Sequence, residues 1–228
     1  MPTLRHIRFV WKPIVFLVCL GPLAWLLLHV FAVGSLRLGP NPIEEIQDTM
    51  GIWALRFIMA TLAITPLRHL TGQVWLLQFR RMLGLFAFAY VTIHFLNYLV
   101  LDQTFDFAEI VEDIVERPFI TVGFSAFLML IPLAVTSTNG WRRQLGSRWR
   151  VLHRLVYAIG IFACWHFYWQ VKKDISEPMT YICILALLLG MRLWRRYDRI
   201  IVKAVPPDPA SNEMVSQRKG PDDNPLKS

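Results

Sequence analysis

The sequence lacks the short motifs by which many redox domains hold their cofactors. Its three cysteines, Cys19, Cys164 and Cys183, lie singly in apolar segments, and without a CxxC pair neither an iron–sulfur site nor a zinc ribbon is indicated. No G-x-G-x-x-G occurs, and little length remains outside the apolar segments for a nicotinamide domain. The chain is therefore not expected to take up hydride itself, and we interpret its cysteines as small core residues.

Apolar residues, in contrast, are abundant. Of the 228 residues, 55% are hydrophobic and the mean hydropathy is +0.42, whereas soluble domains are about 45–50% apolar. Several apolar stretches reach about 20 residues, the length that crosses a hydrocarbon core. The sequence predicts an all-α, polytopic membrane helix bundle in which Pro66 ends the second of six spans. These spans are residues 13–33, 50–65, 81–101, 119–135, 151–170 and 179–194.

Charge is distributed unevenly between alternate loops. The net charge is +8, and 19 of the 24 basic residues lie in the N-terminus, the 66–81 and 139–154 loops and the C-terminal segment from Arg192 onward. The other three loops hold 11 of the 16 acidic residues, and one of them contains an amphipathic stretch, 105–115, that predicts a short surface helix. Because lysine and arginine collect on the cytoplasmic side, both termini are predicted to be cytoplasmic. The basic residues thus indicate topology and no nucleic-acid partner.

The two ends of the chain are predicted to lie outside the bundle. Residues 1–12 are basic and precede an apolar run too long for a signal-peptide h-region, so we assign them to a cytoplasmic N-terminus. Residues 13–203 form the predicted membrane domain. Residues 204–228 are rich in Pro, Ser, Asp and Asn and have no apolar periodicity, a composition typical of a disordered tail, here cytoplasmic.

Histidines inside the predicted spans are the main candidates for a functional site. A histidine in lipid is costly and faces the bundle interior, where it either hydrogen-bonds to a neighbouring helix or ligates a metal. His94 and His166 lie in the outer halves of two spans that run in the same direction, so they can meet at one depth with haem iron between them. Two axial imidazoles would leave no position for oxygen or substrate, which suits electron transfer.

His153 is predicted at the cytoplasmic end of the span that contains His166. The thirteen residues between them correspond to roughly 20 Å along a helix, but the two side chains are about 140° out of phase. A tilt, or a distortion near Gly160, is therefore expected if both histidines face one seam. The residues that could lie opposite His153 are Arg80 or Arg81 at the matching depth, and His69 and Met82 nearby.

Arg56 is an ionisable residue inside the second predicted span. It lies roughly 9 Å from the predicted start of that helix, and at such a depth it needs an anionic partner or a water-filled cavity. Two interpretations are open. The side chain snorkels to the near interface, or the guanidinium binds a carboxylate such as a haem propionate.

Six features of the sequence carry a family resemblance: LGPNPIEEIQDTMGIWALRF, TPLRHLTG, RRMLGLFAFAYVTIHFLNY, RPFITVGFSAF, LAVTSTNGWRRQLGSRWRVLHRLVY and the late His166. They cover most of residues 34–170. They are similar to the MsrQ (YedZ) family of bacterial haem-binding membrane subunits, within the wider ferric reductase and NADPH oxidase transmembrane superfamily. On this resemblance His94, His153 and His166 match the haem histidines of the family, and Arg80 stands where oxidases of the superfamily have a fourth histidine.

The resemblance implies a role in electron transfer for an oxidoreductase complex, without the catalytic site itself. The implied cofactors are one or two b-type haems and an FMN, for which the sequence has no recognisable motif. Electrons would come from the quinone pool or a separate cytoplasmic flavin reductase. They would cross the bacterial inner membrane to a periplasmic molybdenum-cofactor subunit that reduces methionine sulfoxide in oxidised proteins. The residues alone leave two alternatives, an ion or proton transporter that uses Arg56 and the histidines, and a structural membrane anchor.

Overall fold

Helices make up the membrane part of the chain. The computed structural model describes residues 4–31, 38–171 and 174–204, and within them the regular elements are all helical. Six helical segments are long and apolar enough to cross a membrane, which confirms the predicted six-span bundle. The protein is thus a multi-pass membrane protein. The segments are Ile7–Val30, Pro42–Thr71, Val74–Asp102, Pro118–Val135, Ser147–Gln170 and Ser176–Asp198.

The first span begins earlier than predicted. A turn of helix, Leu4–His6, and a π-helical segment, Ile7–Trp11, lead into helix α1, Lys12–Val30. Pro22 lies inside α1, and beside it the buried hydroxyl of Tyr90 donates to the Cys19 carbonyl at 2.8 Å and accepts from the Leu23 amide at 3.0 Å. A side chain thus bridges a backbone donor and acceptor that would otherwise pair within the helix. This bridge joins α1 to the third span.

Helix α2, Pro42–Thr71, is longer than predicted at both ends. The side chain of Asn41 caps its start, and Gly72, with a φ of 71°, ends it in the left-handed region that glycine tolerates. The prediction that Pro66 ends this helix is wrong, because Pro66 lies buried within it. A proline removes one helical hydrogen bond, but α2 is the most enclosed of the six spans, and this packing holds the helix on both sides of the proline.

Helix α3, Arg80–Asn97, packs against α2 over most of its length. A 3₁₀ segment, Val74–Gln78, precedes it, and a π-helical turn, Tyr98–Asp102, follows it. The two helices form an antiparallel hairpin, because only a short connection separates the end of one from the start of the other.

Helix α4, Phe107–Glu116, confirms the predicted surface helix. The Asp106 carboxylate caps it by accepting from the amides of Ala108 and Glu109 at 3.0 and 3.2 Å. Its buried side holds Ile110 and Asp113. The exposed positions comprise an apolar row, Phe107, Val111 and Val115, and an acidic row, Glu109, Glu112 and Glu116.

The predicted loop 139–154 contains two short helices, α6 (Asn139–Leu145) and α7 (Ser147–Leu152), after helix α5 (Pro118–Val135). Helix α8, Leu155–Gln170, follows and packs against α5 as a second hairpin. The helical path of the fifth span is therefore interrupted at His153 and Arg154. Of the two alternatives considered for bringing His153 and His166 to one seam, a tilt or a distortion near Gly160, the distortion is absent, since that glycine is buried inside the continuous helix α8.

Helix α9, Ser176–Ala204, is the last described element. Asp174 Oδ1 accepts from the Ser176 amide at 2.9 Å and from its hydroxyl at 2.5 Å, and these bonds hold the pKa of the Asp174 carboxyl below its usual value. Residues up to Leu189 form one compact unit and residues from Gly190 form another, so the boundary falls within α9. The predicted disordered tail, residues 204–228, lies outside the described residues except for Ala204.

Candidate metal centre

His94 and His166 face each other where the two hairpins meet. Their ring centres are 6.2 Å apart and their planes cross at 85°. His94 lies near the end of α3 and His166 near the end of α8, so the two parallel helices bring the rings to one depth in the bundle.

Each of these rings is held by a backbone carbonyl of the preceding helix in its own hairpin. His94 Nδ1 donates to the Gln47 carbonyl at 2.9 Å, and His166 Nδ1 donates to the Phe119 carbonyl at 2.7 Å. A carbonyl only accepts, so the proton of each neutral ring lies on Nδ1 and the lone pair lies on Nε2. Imidazoles that ligate metals are oriented in this way, with one nitrogen donating to a fixed acceptor and the other free to bond the metal.

Two glycines allow the rings to approach their helices. A Cβ added to Gly51 would lie 3.0 Å from both Nδ1 and Cε1 of His94. A Cβ added to Gly123 would lie 2.7 Å from Nδ1 and 2.8 Å from Cε1 of His166. Real Cβ atoms essentially never make contacts as short as those at Gly123, and those at Gly51 are tighter than nine in ten real contacts. Each ring therefore occupies space that a side chain would otherwise fill.

The spacing of the rings suits one metal atom between them. Imidazole nitrogens bond metals at about 2 Å, so a metal bonded to both rings would hold the ring centres about 6 Å apart. The observed separation is 6.2 Å. Two neutral imidazoles would be suitable ligands for a haem iron, which takes its other ligands from the porphyrin.

Gln47 and Asn97 form a polar support that was not predicted. The Gln47 side-chain amide donates to His94 Nε2 at 3.3 Å, and Asn97 Nδ2 donates to Gln47 Oε1 at 2.7 Å. The Gln47 amide thus lies at the lone pair of His94 and would have to rotate away from a metal bonded there. We placed Gln47 in a loop because α2 was predicted to start at residue 50. The available signal was the spacing of Gln47 and Gly51, one helical turn apart.

His153 has a different environment from the other two histidines. The Thr136 hydroxyl donates to the Pro132 carbonyl at 2.6 Å, and it therefore accepts from His153 Nε2 at 3.1 Å. The Trp149 ring stacks on the imidazole with ring centres 4.0 Å apart. The residue immediately follows α7, at the interruption of the fifth span, and Nε2 is already engaged as a donor.

The residues predicted to lie opposite His153 are spread over the same end of the bundle. Arg80, the first residue of α3, is near enough for its charge to act on the imidazole of His153. Arg81 donates to Asn139 Oδ1 at 3.1 Å. His69 contacts the guanidinium of its neighbour Arg68, and Met82 lines a groove that α3 forms with α1.

Arg56 lies in the middle of α2, beside the first turns of α9, and its side chain is partly exposed. Its Nε donates to the Tyr181 hydroxyl at 2.8 Å, and its guanidinium lies 4.7 Å from the centre of the Trp53 ring. Glu177 is a weaker partner, with 3.9 Å between the guanidinium nitrogen and the carboxylate oxygen. The predicted start of α2 was wrong by eight residues, so Arg56 is about 21 Å from the true helix start rather than 9 Å.

The comparisons with known proteins agree with this architecture. Residues 50–164, about half of the chain, match the family described as ferric reductase like transmembrane component. A protein-methionine-sulfoxide reductase heme-binding subunit MsrQ from Xanthomonas oryzae pv. oryzae (strain MAFF 311018) is 50% identical over 196 residues, which cover 85% of this chain and 90% of the relative. This chain belongs to the MsrQ family.

Relatives with the same printed name occur in other bacteria. The one from Xanthomonas axonopodis pv. citri (strain 306) is 51% identical over 188 residues, 81% of this chain and 86% of the relative. The one from Polaromonas naphthalenivorans (strain CJ2) is 48% identical over 191 residues, 82% of this chain and 86% of the relative. No solved structure is a significant match to the chain.

Proposed function

We propose that this chain binds haem b between His94 and His166 and carries electrons across the bacterial plasma membrane. The observation that carries the proposal is the facing pair of rings, 6.2 Å apart, with each Nδ1 bonded to a carbonyl. The MsrQ relatives are named heme-binding subunits of a methionine sulfoxide reductase, which supports this choice over a transporter or an anchor.

The two histidines and the carbonyls that orient them determine which chemistry a haem at this position would support. When bound, haem supplies a reversible one-electron couple. His94 and His166 would occupy both axial positions, so small molecules would find no open coordination site. The carbonyls of Gln47 and Phe119 hold both imidazole rings in place before any ligand binds. The rings would therefore move little when the charge of the centre changes.

A second haem at the other end of the bundle is part of the proposal, with His153 as its ligand. Binding through Nε2 would require His153 to give up its bond to Thr136. Arg80 lies close enough to interact with the charge of this site. The FMN implied by the family resemblance is retained as an expectation without assigned residues.

Arg56 is proposed to bind a propionate of the outer haem. Its side chain is about two-fifths exposed, and its guanidinium interacts with Tyr181, Trp53 and Glu177 without a close ion pair. The weak pairing to Glu177 leaves donors of the guanidinium for a carboxylate ligand, which arginine binds in a bidentate manner.

The electron path is proposed to run outward. The donor is membrane quinol or a cytoplasmic flavin reductase, and the acceptor is a periplasmic methionine sulfoxide reductase that holds a molybdenum cofactor. The acidic row of α4, Glu109, Glu112 and Glu116, lies on the side predicted to be periplasmic and is exposed. Electron-transfer encounters are small and guided by charge, so this row suits a partner with a basic rim.

Two measurements test the proposal. The purified protein should have the absorption spectrum of a low-spin b-type haem, whereas a transporter or anchor would have none. In membranes with a quinol or flavin-reductase donor, adding the reductase and methionine sulfoxide should reoxidise the reduced haem. If the haem stays reduced while the reductase works with an artificial donor, this chain serves a different acceptor.

A further inference from the structure

The first hairpin contains both groups that orient one histidine, a backbone carbonyl and a glycine, and we call such a pair a holder. Along α2, the Gln47 carbonyl accepts from His94, and Gly51 lies one turn later, directly under the imidazole. All three residues belong to the α2–α3 pair. The orientation of the His94 ring is therefore set inside this hairpin.

The second hairpin repeats the arrangement. Along α5, the Phe119 carbonyl accepts from His166, and Gly123 lies one turn later under that imidazole. The same chain spacing thus occurs twice, although the sequences around it differ. One shift of 72 residues relates Gln47 to Phe119, Gly51 to Gly123 and His94 to His166.

Several buried positions follow the same shift, so the repeat extends beyond the histidines. On the first helix of each hairpin, two buried apolar positions correspond. On the second helix, a further position is almost fully enclosed in both copies. The corresponding buried pairs are Ala54 and Ala126, Ile58 and Leu130, and Ala87 and Ile159.

Helix geometry explains why a glycine recurs four residues after the carbonyl. Every Cα–Cβ bond in an α-helix tilts toward the N-terminus, so the side chain of residue i+4 covers the carbonyl of residue i. That carbonyl already accepts the amide of residue i+4 and has one further lone pair. Glycine at i+4 uncovers this lone pair, and an imidazole from the neighbouring helix can then donate to it.

We infer that the centre is built from two equivalent halves, α2–α3 and α5–α8, in which Gly51 and Gly123 are positioning residues for the imidazoles. The inference rests on the proposed haem function and extends it to residues that do not touch the haem iron. The two holders fix the imidazole planes at 85° to each other. Crossed planes give ferric low-spin haem a strongly anisotropic electron paramagnetic resonance signal, whereas parallel planes give a rhombic one.

The test uses alanine substitutions in the full-length, haem-loaded protein. Gly123→Ala should displace the His166 ring, break its bond to Phe119 and lower haem affinity about 10–100-fold, the usual effect of losing the group that orients a metal ligand. Gly51→Ala, with its longer contacts of 3.0 Å, should lower affinity less. In both variants the resonance signal of the retained haem should shift toward the rhombic type.

Two other membrane glycines provide matched controls. A Cβ at Gly21 would meet no atom within 4 Å, and one at Gly84 would lie 4.0 Å from Thr61 Cγ2. Alanine favours a helix over glycine by about 0.5–1 kcal/mol, so Gly21→Ala and Gly84→Ala should leave the spectrum and the haem content unchanged.

The possible outcomes separate the two proposals. Wild-type protein without haem would refute the proposed function. A second outcome is that the wild type binds haem and His94→Ala loses it, while Gly51→Ala and Gly123→Ala keep the haem affinity and resonance signal of the controls. This outcome would overturn the positioning role of the glycines and leave the proposed function intact. If Gly123→Ala does not accumulate in membranes, the positioning role is judged from Gly51→Ala alone. Its added Cβ would lie 3.0 Å from the His94 ring, a longer contact that allows the bundle to form.

Discussion

Arg56 Nε donates to the hydroxyl of Tyr181 at 2.8 Å and so ties the middle of α2 to the first turns of α9. If the rest of the guanidinium binds a haem propionate, Arg56→Gln should lower haem retention or shift the midpoint potential. Tyr181→Phe keeps the positive charge and should change both quantities less. Redox titration of the two variants beside Arg142→Gln, a basic residue outside the spans, measures the difference. Equal values in all three would favour snorkelling of Arg56.

The axial ligands can be identified by single substitutions. His94→Ala and His166→Ala should each remove most of the low-spin b-type spectrum while the protein still inserts, because either change opens an axial position. His29→Ala is the control, since His29 contacts a residue of its own helix, through Nδ1 to the Trp25 carbonyl and through its ring to the Trp25 ring. An unchanged spectrum in both variants would remove the ligand assignment.

The inner site has its own expected signature. His153→Ala should leave the outer haem signal intact and remove a second spectral component, since His153 is at the opposite end of α8 from His166. Thr136→Val removes the hydroxyl that engages His153 Nε2 and should increase occupancy of the inner site. Haem-to-protein ratios of the two variants check this. Identical ratios in wild type and both variants would mean that His153 holds no haem.

Membrane orientation can be tested with reporter fusions. We expect a fusion after Asp106 to behave as periplasmic and one after Arg143 as cytoplasmic, because basic residues concentrate near the second site. The reverse pattern would place the acidic row of α4 in the cytoplasm and would exclude it as a periplasmic docking surface.

The surface helix α4 depends on one buried carboxylate. Asp113 accepts from Tyr98 and Gln103 at 3.1 and 2.9 Å, and Arg117 pairs with it at 3.1 Å. Asp113→Ala leaves these donors unsatisfied and should cost about 1–3 kcal/mol of local stability. Amide exchange across Phe107–Glu116 should accelerate relative to wild type, and Glu112→Ala, at an exposed position of the same helix, should have little effect. Equal exchange in both variants would contradict an anchoring role.

Neutralising the acidic row tests docking independently of haem binding. Changing Glu109, Glu112 and Glu116 to glutamine should slow reoxidation by the reductase about three- to tenfold at low salt and flatten its salt dependence. The haem spectrum should not change. Asp198→Asn, an exposed acidic residue of α9, serves as the control. Rates that stay at the wild-type level at every salt concentration would exclude this row from the docking surface.

The sequence predicted the fold class and the meeting of His94 with His166 because both depend on length, polarity and helix direction. It did not predict the end of α2, since proline propensity suggested a stop at Pro66 that packing in the centre of the bundle overrides. It also predicted the start of α2 eight residues too late, and this second error placed Gln47 in a loop and hid its carbonyl and side chain from the site. The interruption at His153 and Arg154 was also missed, because an apolar pattern does not reveal where a helix breaks.

Each ligand histidine is oriented by the helix that precedes it in the same hairpin, and this order matters while the protein is being made. By the time residue 102 has left the ribosome, α2 and α3 can pair and fix the ring of His94 without any later residue. The second hairpin can then form in the same way after Pro118. If the chain binds haem as proposed, the haem would join two finished parts late in biosynthesis, and a nascent chain that stops before α8 would contain only one of them.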